Sequence, residues 1–335
     1  MAADAGIVDV DADRRQPLAA DAKPIPLRKA VAAVAPQVSR MASRFSQLAA
    51  LGAADCLRRV RRADDGELRS ELAPDTRIYL ATGLGDIAHT DALYFGVMPP
   101  KSEMPPPARF ATSGNNMAAF FVAQHACLAS RNLTVSQAEL SFESALELAL
   151  SDLEAGAMSA ALVGSVDETT LPRECYTRRF NVRADQMIGE GSGWLLLDTD
   201  RARDGVGALG AIIDARVLPS RGTRDAPRLV DQLGPLIGRI AAGPTSGSIV
   251  LLAGTGIAID EALALQRETE ARVPGIVHED YLRWTGRFPT AVAVVMAAML
   301  VSGAQQSEKR TCVHVNRDPQ GHTGLVAFEI YPVAG

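Results

Sequence analysis

The sequence predicts a layered α/β protein made of two similar halves. Segments with helical apolar spacing alternate with short apolar runs along most of the 335 residues, as expected for helices packed on sheets. Each half contains a predicted strand that ends in a glycine turn, at 83–85 (GLG) and at 254–256 (GTG). Hydrophobic residues make up 47% of the chain and aromatic residues only 5%, which suits helices lying close to a sheet. The two halves share no repeated sequence, so their similarity is predicted only in structure.

Residues 1–26 are expected to form a poorly structured, polar N-terminal arm. The first half is predicted over 27–205, and its clearest element is a helix at 139–153 that ends at Gly156. The other elements of this half are a helix at 38–60, a strand at 77–82, a proline-rich loop at 99–107, a helix at 115–129, and strands at 132–135, 160–164 and 194–197.

The second half is predicted over 206–335 and repeats the alternation. Its elements are a strand at 207–217, a helix at 229–242, a strand at 248–252, helices at 260–272 and 289–301, and strands at 312–316 and 326–331. Residues 291–301 are the most apolar stretch of the chain. This stretch is shorter than the roughly 20 residues that a membrane-spanning helix needs, so it predicts a buried helix.

Composition argues against several classes of function. The net charge of -5 predicts no broad basic surface for nucleic acid. The four cysteines, Cys56, Cys127, Cys175 and Cys312, are scattered without a C-x-x-C pair, which predicts reduced thiols. The five histidines show no metal-ligand spacing. The N-terminus carries no secretory pattern, so together with the reduced thiols it predicts a cytoplasmic protein. We also expect no membrane span, no metal and no cofactor.

The segment 83–88 reads GLGDIA and fits the dinucleotide pattern G-x-G-x-x-A after a strand. In that pattern glycine amides bind a pyrophosphate at a helix N-terminus. The pattern also needs a second strand that ends in an acidic residue about 20 positions on. That region is the proline-rich loop at 99–107, which does not suit a central strand. We therefore interpret 83–88 as a plain strand-to-helix turn.

Four segments together resemble the β-ketoacyl synthase family. Residues 134–139 read TVSQAE, where ketosynthases have a strand of the type T-V-D-T-A running into a catalytic Cys at the start of a buried helix. Residues 161–168 (ALVGSVDE) resemble A-L-V-G-G-V-D-E, and 178–185 and 188–193 resemble R-P-F-D…D-G and G-E-G-A-G. The similarity covers most of 38–335 and is weak at the N-terminus, where the first strand is shortened. It implies a thiolase-like fold of five layers, α-β-α-β-α.

At three positions the residue that is catalytic in the family is replaced. Glu139 stands at the Cys position, Ala253 replaces the His of H-G-T-G-T, and Arg287 replaces the His of T-G-H. In active relatives the Cys carries the acyl chain, and the imidazoles donate hydrogen bonds and help malonyl decarboxylation. Ala253 does neither, while Arg287 stays charged and would crowd the site. The loop at 319–322 (PQGH) also departs from the family's G-F-G-G, so we predict no catalytic residue in this chain.

Glu139 has several interpretations. Ser136-x-x-Glu139 before an apolar run fits a capping box, in which Glu at N3 bonds back to the N-cap amide. Glu139 could instead fill an acyl tunnel, or act as a base in decarboxylation of a malonyl group. A carboxylate is electrostatically well placed at a helix N-terminus, but it is a poor acyl carrier.

The combination of replacements resembles the chain-length factor of type II polyketide synthases, which typically lacks the Cys and carries T-G-R. The resemblance implies a non-catalytic subunit that pairs with an active ketosynthase through an edge strand near 132–138 and shapes the acyl tunnel. Glu139 in place of the usual Gln, together with the short chain, suggests a divergent branch, of the polyene or aryl-polyene kind. Two alternatives stay open: a stand-alone enzyme using Glu139 as a malonyl decarboxylase or acyltransferase, and a homodimeric scaffold that binds acyl carrier protein.

Two sets of residues are candidates for the roles that the resemblance implies. The tunnel and interface candidates, for each of which simple core packing is an equal alternative, are Tyr94, Phe95, Met117, Phe120, Phe121, Val135 and Gln137. The candidates for binding the acyl carrier protein, with its phosphopantetheine-bound chain, are Arg173, Arg178, Arg179 and Arg183.

Overall fold

The structure, a computed structural model, describes residues 2–7, 27–63, 72–98, 104, 107–180, 182, 186–199, 208–220, 228–241, 248–303 and 308–332. The strands of the first half are β1 (Ala2–Ile7), β2 (Arg77–Ala81), β3 (Asn132–Val135), β4 (Ala160–Asp167) and β5 (Gly191–Asp198). Its helices are α1 (Leu27–Val34), α2 (Pro36–Met41), α3 (Arg44–Ala63), α4 (Ile87–Val97), α5 (Pro107–Ala111), α6 (Met117–Ala126), α7 (Ser141–Glu154) and α8 (Arg173–Phe180).

The second half repeats the alternation of strands and helices. Its strands are β6 (Gly210–Leu218), β7 (Ser248–Ala253), β8 (Val277–Glu279), β9 (Arg310–Arg317) and β10 (Thr323–Ile330). Its helices are α9 (Leu229–Ala241), α10 (Ile259–Arg272), α11 (Leu282–Thr285) and α12 (Ala291–Gly303).

The two halves have the same strand topology. The continuous strand order is β3-β2-β4-β5-β1-β6-β10-β9-β7-β8. Counted from the first strand of each half, both halves therefore have the strand order 3-2-4-5-1, and their two sheets join at a single residue pair between β1 and β6. In both halves the second strand is parallel to the third and fourth, and the fifth is antiparallel to its two neighbours. This repetition confirms the prediction of two similar α/β halves.

Side chains alternate between the two faces of each sheet, which produces five layers. In β2, Tyr79 and Ala81 face a central layer formed by α7 and α12, whereas Ile78 and Leu80 face an outer layer that includes α3 and α6. In the second half α9 and α10 form the opposite outer layer against strands β7, β9 and β10. The architecture is therefore α-β-α-β-α, as the family resemblance implies. Because α12 is covered by both sheets, it is apolar on all sides.

Strand β1 is a correction to the expected N-terminal arm. Residues 2–7 (AADAGI) contain a single β-branched residue, so their local pattern does not predict a strand. In the fold they pair with β5 over six residues and touch β6 on the other side, so main-chain hydrogen bonds stabilise the strand where side-chain propensity does not. The rest of the arm, residues 8–26, lies outside the described residues.

Most of the predicted elements coincide with observed ones. The strand predicted at 132–135 is β3, and the helix predicted at 139–153 is α7 preceded by a short turn. The expected proline-rich loop at 99–107 lies largely outside the described residues. The domain boundary predicted at 205/206 falls between β5 and β6, also outside them, so it stays a prediction. In the described part of the chain no helix combines the length and the apolar character needed to cross a bilayer.

Candidate functional site

The turn before α7 places Glu139. A 3₁₀ turn at Ala138–Leu140 precedes the helix, and Ala138 has a positive φ of 47°, a strained conformation for a residue with a side chain. The Ser141 hydroxyl holds this turn, because its oxygen accepts from the Gln137 N–H at 2.7 Å and lies 3.0 Å from the Thr82 carbonyl oxygen. The capping-box interpretation of Ser136 and Glu139 is therefore wrong: Ser136 is exposed, and the turn has no side-chain cap.

Glu139 is buried, with 3% of its surface exposed. Its carbonyl oxygen accepts a hydrogen bond from the Asn316 side-chain amide at 2.7 Å, whereas its Oε2 atom has no hydrogen-bond partner among the described residues. Burial raises the pKa of this carboxyl above its usual range. Glu139 is thus held by its backbone, and its side chain is free to face a cavity.

A second buried acid lies one turn further along α7. Glu143 is fully buried, and its Oε1 atom accepts from the Asn316 amide at 3.2 Å and lies 3.5 Å from Nδ1 of His314. The other ring nitrogen of His314 is 3.1 Å from the Tyr281 hydroxyl. Burial raises the pKa of Glu143 to about 8 and lowers that of His314 to about 3. Both groups are therefore neutral near pH 7, and they form a neutral polar cluster behind the cavity.

The second and third motifs lie on the same cavity. Ala253 is the last residue of β7, and the Thr255 carbonyl that follows accepts a hydrogen bond from Nη1 of Arg287 at 3.1 Å. Arg287 is buried, and its main chain bonds to that of Met187 and Gly189. The cavity measures about 450 Å³. It is lined by Glu139, Arg179, Phe180, Gln186, Thr255, Gly256, Ile257, Ala258, Ile259, Asp260, Leu263, Arg287, Arg317 and Pro319.

Among the described residues that line this cavity there is no thiol and no imidazole. The cysteines are elsewhere: Cys56 and Cys312 are buried in the cores, and Cys127 and Cys175 are exposed. Burial raises the pKa of Cys312 to about 12, which leaves it a poor nucleophile. The lining that the structure describes therefore offers two carboxyl groups, of Glu139 and Asp260, and three guanidinium groups, a set that can bind an acyl thioester but supplies no thiolate.

The glycine turn after β2 has the structure of the plain strand-to-helix connection that the sequence predicts. The N–H groups of Gly83 and Leu84 both donate to Oδ1 of Asp167 at 3.0 Å, and the Gly85 N–H donates to the Thr82 hydroxyl at 2.8 Å. Asp86 then caps α4 by accepting from the His89 N–H. Because these three glycine-turn amides are already bonded, they are not available to bind a pyrophosphate.

The arginine candidates lie on and after α8. Arg173, Arg178 and Arg179 are exposed, because Tyr176 and Phe180 turn the other face of this helix into a small core. Arg179 reaches the lining of the Glu139 cavity, whereas Arg173 donates to the Gln186 carbonyl at 2.6 Å. Arg183 lies outside the described residues.

The seven tunnel and interface candidates divide between surface and core. Tyr94, Phe95 and Phe120 are largely exposed, Phe121 is buried, and Met117 and Val135 are half-buried against the cores. Gln137 is exposed and accepts from the Ser144 hydroxyl at 2.6 Å. None of the seven lines the cavity at Glu139. Their roles stay predictions.

Comparison of the sequence with known proteins finds no match, whereas comparison of the structure does. No protein-family model matches the chain, and no curated protein matches it. Solved structures do match. The ishigamide ketosynthase/chain length factor is similar with a TM-score of 0.68 and 19% identity, over 97% of this chain and 91% of that chain. The type II PKS complex AntDE:AntF, an acyl-carrier protein with its ketosynthase bound to the hexaketide, has a TM-score of 0.68 and 14% identity, over 90% and 86%.

A β-ketoacyl synthase from Burkholderia phymatum is also similar, with a TM-score of 0.64 and 14% identity over 92% of this chain and 86% of that chain. The chain has the thiolase-like fold of the ketosynthases. The resemblance read from the sequence motifs is thereby confirmed as a likeness in fold. At identities of 14–19% the likeness carries the fold alone, so activity and partners depend on the site itself.

Sequence reasoning missed the polar groups behind the cavity. Glu143, His314 and Asn316 are brought together from α7 and β9, and none of them belongs to a recognisable local motif. The one available signal was a Glu on the apolar face of the clearest predicted helix, next to Phe142. Glu168, a buried acid directly after β4, stands out in the sequence only as the last residue of the segment 161–168.

Proposed function

We propose that this chain is a non-catalytic, ketosynthase-like subunit that pairs with an active ketosynthase in type II polyketide synthesis, in the manner of a chain-length factor. One observation carries the proposal: Glu139 and Arg287 line one cavity at the start of α7, and Ala253 ends the strand whose following turn also lines it. By the family resemblance these three residues take the places of a thiolate and two imidazoles. Decarboxylative condensation requires an acyl carrier, and a carboxyl is a poor one. The proposal also includes the product class, which is a polyene or aryl polyene.

An uncovered apolar surface supports the need for a partner. Helix α4 is apolar around most of its circumference, yet none of its residues is buried, and such helices are normally covered. The large exposed apolar side chains of this region are Tyr94, Phe95, Val97, Met98, Met104, Phe110, Phe120 and Leu133. A cluster of this kind marks a protein–protein interface more often than free surface.

The edge strand β3 carries one of these exposed side chains, Leu133. Among the described strands it pairs only with β2, so its outer edge presents unpaired main-chain groups. A partner strand added there would extend the sheet through both subunits, as the family resemblance implies. Arg179 of α8 lines the Glu139 cavity, and Arg173 and Arg178 are exposed on the same helix. An acidic acyl carrier protein delivering a phosphopantetheine-bound chain would dock at these arginines.

Co-purification with the ketosynthase encoded beside this chain tests the proposal. We expect a soluble 1:1 complex that is lost in Phe95→Glu, because a charge would be buried at the centre of the interface. Val277→Glu is the matched control: Val277 is 51% exposed on β8, the edge strand equivalent to β3 in the other half. If Phe95→Glu pairs as well as the native chain, this interface is wrong.

Product analysis of the same complex tests the tunnel. We expect Phe120→Ala to lengthen the polyketide product, because truncating a side chain at the interface opens space for further extension. Unchanged products with lost solubility would assign Phe120 to the core. Thioester turnover by the isolated chain that disappears in Glu139→Gln would favour the enzyme alternative, and carrier binding with no ketosynthase would favour the scaffold.

A further inference from the structure

A second cavity, of about 300 Å³, shares no lining residue with the Glu139 cavity and has no role in the proposed function. It is formed where α3, α4 and α5 approach the end of β4. Its lining residues are Ser43, Arg44, Asp86, Ala88, His89, Ala92, Leu93, Arg109 and Glu168.

Glu168 is the unexplained group of this cavity. It is 2% exposed, and both of its carboxylate oxygens lack a hydrogen-bond partner among the described residues. A buried carboxylate left without donors costs several kcal/mol, so native structures normally pair it. The residue is held in place by its main chain, whose carbonyl accepts from the buried Tyr176 hydroxyl at 3.3 Å. The fold therefore keeps an unpaired acid aimed into an accessible cavity.

The neighbouring charges compensate Glu168 only in part: Arg44 attracts its carboxylate without a hydrogen bond to it, whereas Asp86, Glu190 and Asp167 repel it. Arg44 forms an ion pair with Glu190, whose other oxygen accepts from the Thr169 N–H at 3.2 Å. Asp86 is occupied in capping α4. With Arg109 included, two guanidinium groups among the described residues face four carboxylates, those of Glu168, Asp86, Glu190 and Asp167, so negative charge is in excess at full ionisation. An added cation would offset part of this excess.

We propose that this cavity is a socket for a cationic side chain, an arginine or lysine, of the partner subunit. The volume suits one extended side chain, and the carboxylate at its base supplies two acceptors that match a guanidinium fork. The occupant comes from the partner because α4 forms both a wall of the socket, through Ala92 and Leu93, and the uncovered apolar surface beside it, through Tyr94 and Phe95. This inference rests on the proposed function.

The socket gives the interface a dependence on pH. Burial, with Asp86 as the next largest cause, raises the pKa of Glu168 to about 7. Only the ionised form attracts a cation, so binding strengthens as pH rises from 6 to 8. The charged and titratable groups that face Glu168 are Arg44 on α3, Asp86 and His89 at α4, Arg109 on α5, and Asp167 and Glu190 beside it.

The first experiment uses the isolated chain, so that it does not depend on the ketosynthase. Methylguanidinium is the probe and methylurea its neutral isostere, each followed by saturation transfer to its methyl group at constant ionic strength. We expect transfer to methylguanidinium in the native chain, loss of that transfer in Glu168→Gln, and retention in Glu168→Asp. Equal transfer in the native chain and Glu168→Gln would overturn the proposal, whether or not a complex forms.

The second experiment measures the affinity of the complex. We expect Glu168→Gln to weaken heterodimer formation about 10- to 100-fold at pH 8, because it leaves the partner's cation buried without its counter-charge. The effect should shrink at pH 6. Glu154→Gln, an exposed acid on α7, is the control and should leave affinity unchanged. A native complex that Glu168→Gln does not weaken would overturn the assignment to the partner, and failure of the native chain to form any complex would overturn the proposed function and this occupant together.

Discussion

The two halves of the molecule hold their glycine turns with different side chains at nearly equivalent places. At the end of β4, Asp167 accepts five hydrogen bonds: three from the turn after β2, and two from Thr290, which precedes α12 in the other half. Near the end of β9, Asn316 accepts from the Gly256 N–H in the turn after β7 and donates to the carbonyl of Glu139, which precedes α7 in the other half. Each side chain thus ties its own turn to the start of the opposite central helix.

The difference between the two side chains follows from what they meet. Asp167 faces only donors, so a carboxylate satisfies them all, although burial raises its pKa to about 6. Asn316 faces a backbone donor on one side and the Glu139 carbonyl and Glu143 carboxyl on the other, so it needs an amide. Asp167 and Asn316 therefore occupy nearly equivalent positions in the two halves but differ in chemistry, since one is a carboxylate and the other an amide. The amide lies next to Glu139, whose carbonyl it bonds, and the carboxylate lies at the glycine turn after β2.

The largest expected effect on stability comes from removing the Asp167 and Asn316 side chains. Asp167→Ala leaves at least three backbone amides unbonded in the interior, and we expect it to lower the free energy of unfolding by about 3–5 kcal/mol. Asn316→Ala removes fewer bonds and should cost about 1–3 kcal/mol. Urea unfolding of the purified chain measures both. Where Asp167→Ala does not fold, Asp167→Asn keeps the shape and should still lose more than 1 kcal/mol, because its amide would face the Thr290 N–H. Equal losses at both positions would contradict the asymmetry.

The repeating architecture could be predicted from sequence, whereas the hydrogen bonds of Asp167 and Asn316 between the two halves could not. Periodicity and glycine turns identified β3 and α7, because apolar patterns record which face of an element is buried. Strand β1 was missed because its pairing with β5 stabilises it more than its own side chains do. The family motifs point to Glu139, Ala253 and Arg287; Glu139 and Arg287 line one cavity, Ala253 ends the strand before its turn, and their roles stay predictions. The motifs gave no sign of the Glu143 cluster, because contacts between α7 and β9 join residues more than 170 positions apart.

An intermediate effect should appear in the pH dependence of stability. The pKa of Glu143 rises from 4.5 in the unfolded chain to about 8 in the fold, so the folded state holds a proton that the unfolded state releases over this range. The contribution of Glu143 to the free energy of unfolding is therefore fully present below about pH 4.5, and it is lost as the pH rises towards 8. At about 1.4 kcal/mol per pKa unit the total reaches several kcal/mol.

Glu143→Gln removes this titration while keeping the hydrogen bond with Asn316 possible. We expect the variant to match the native chain at pH 5 and to be the more stable of the two at pH 8, by thermal unfolding across that range. Asp167 and Glu168 titrate in both proteins and cancel in the difference. If the free energies of unfolding of the two proteins change in parallel with pH, Glu143 is ionised in the fold. The assignment of a protonated Glu143 beside the Asn316 amide would then be wrong.

The smallest effect concerns the turn that Asn316 holds, and it compares two serines within six residues of each other. Ser141 bonds the Gln137 N–H and lies against the Thr82 carbonyl, so Ser141→Ala should cost about 1–2 kcal/mol. Ser136 is exposed and takes no part in the turn, so Ser136→Ala should stay within about 0.5 kcal/mol of the native chain. A capping box would reverse this order, because Ser136 would then be the N-cap. Urea midpoints of the two variants, measured side by side, decide between a turn held by Ser141 and Asn316 and a turn held by its own N-cap.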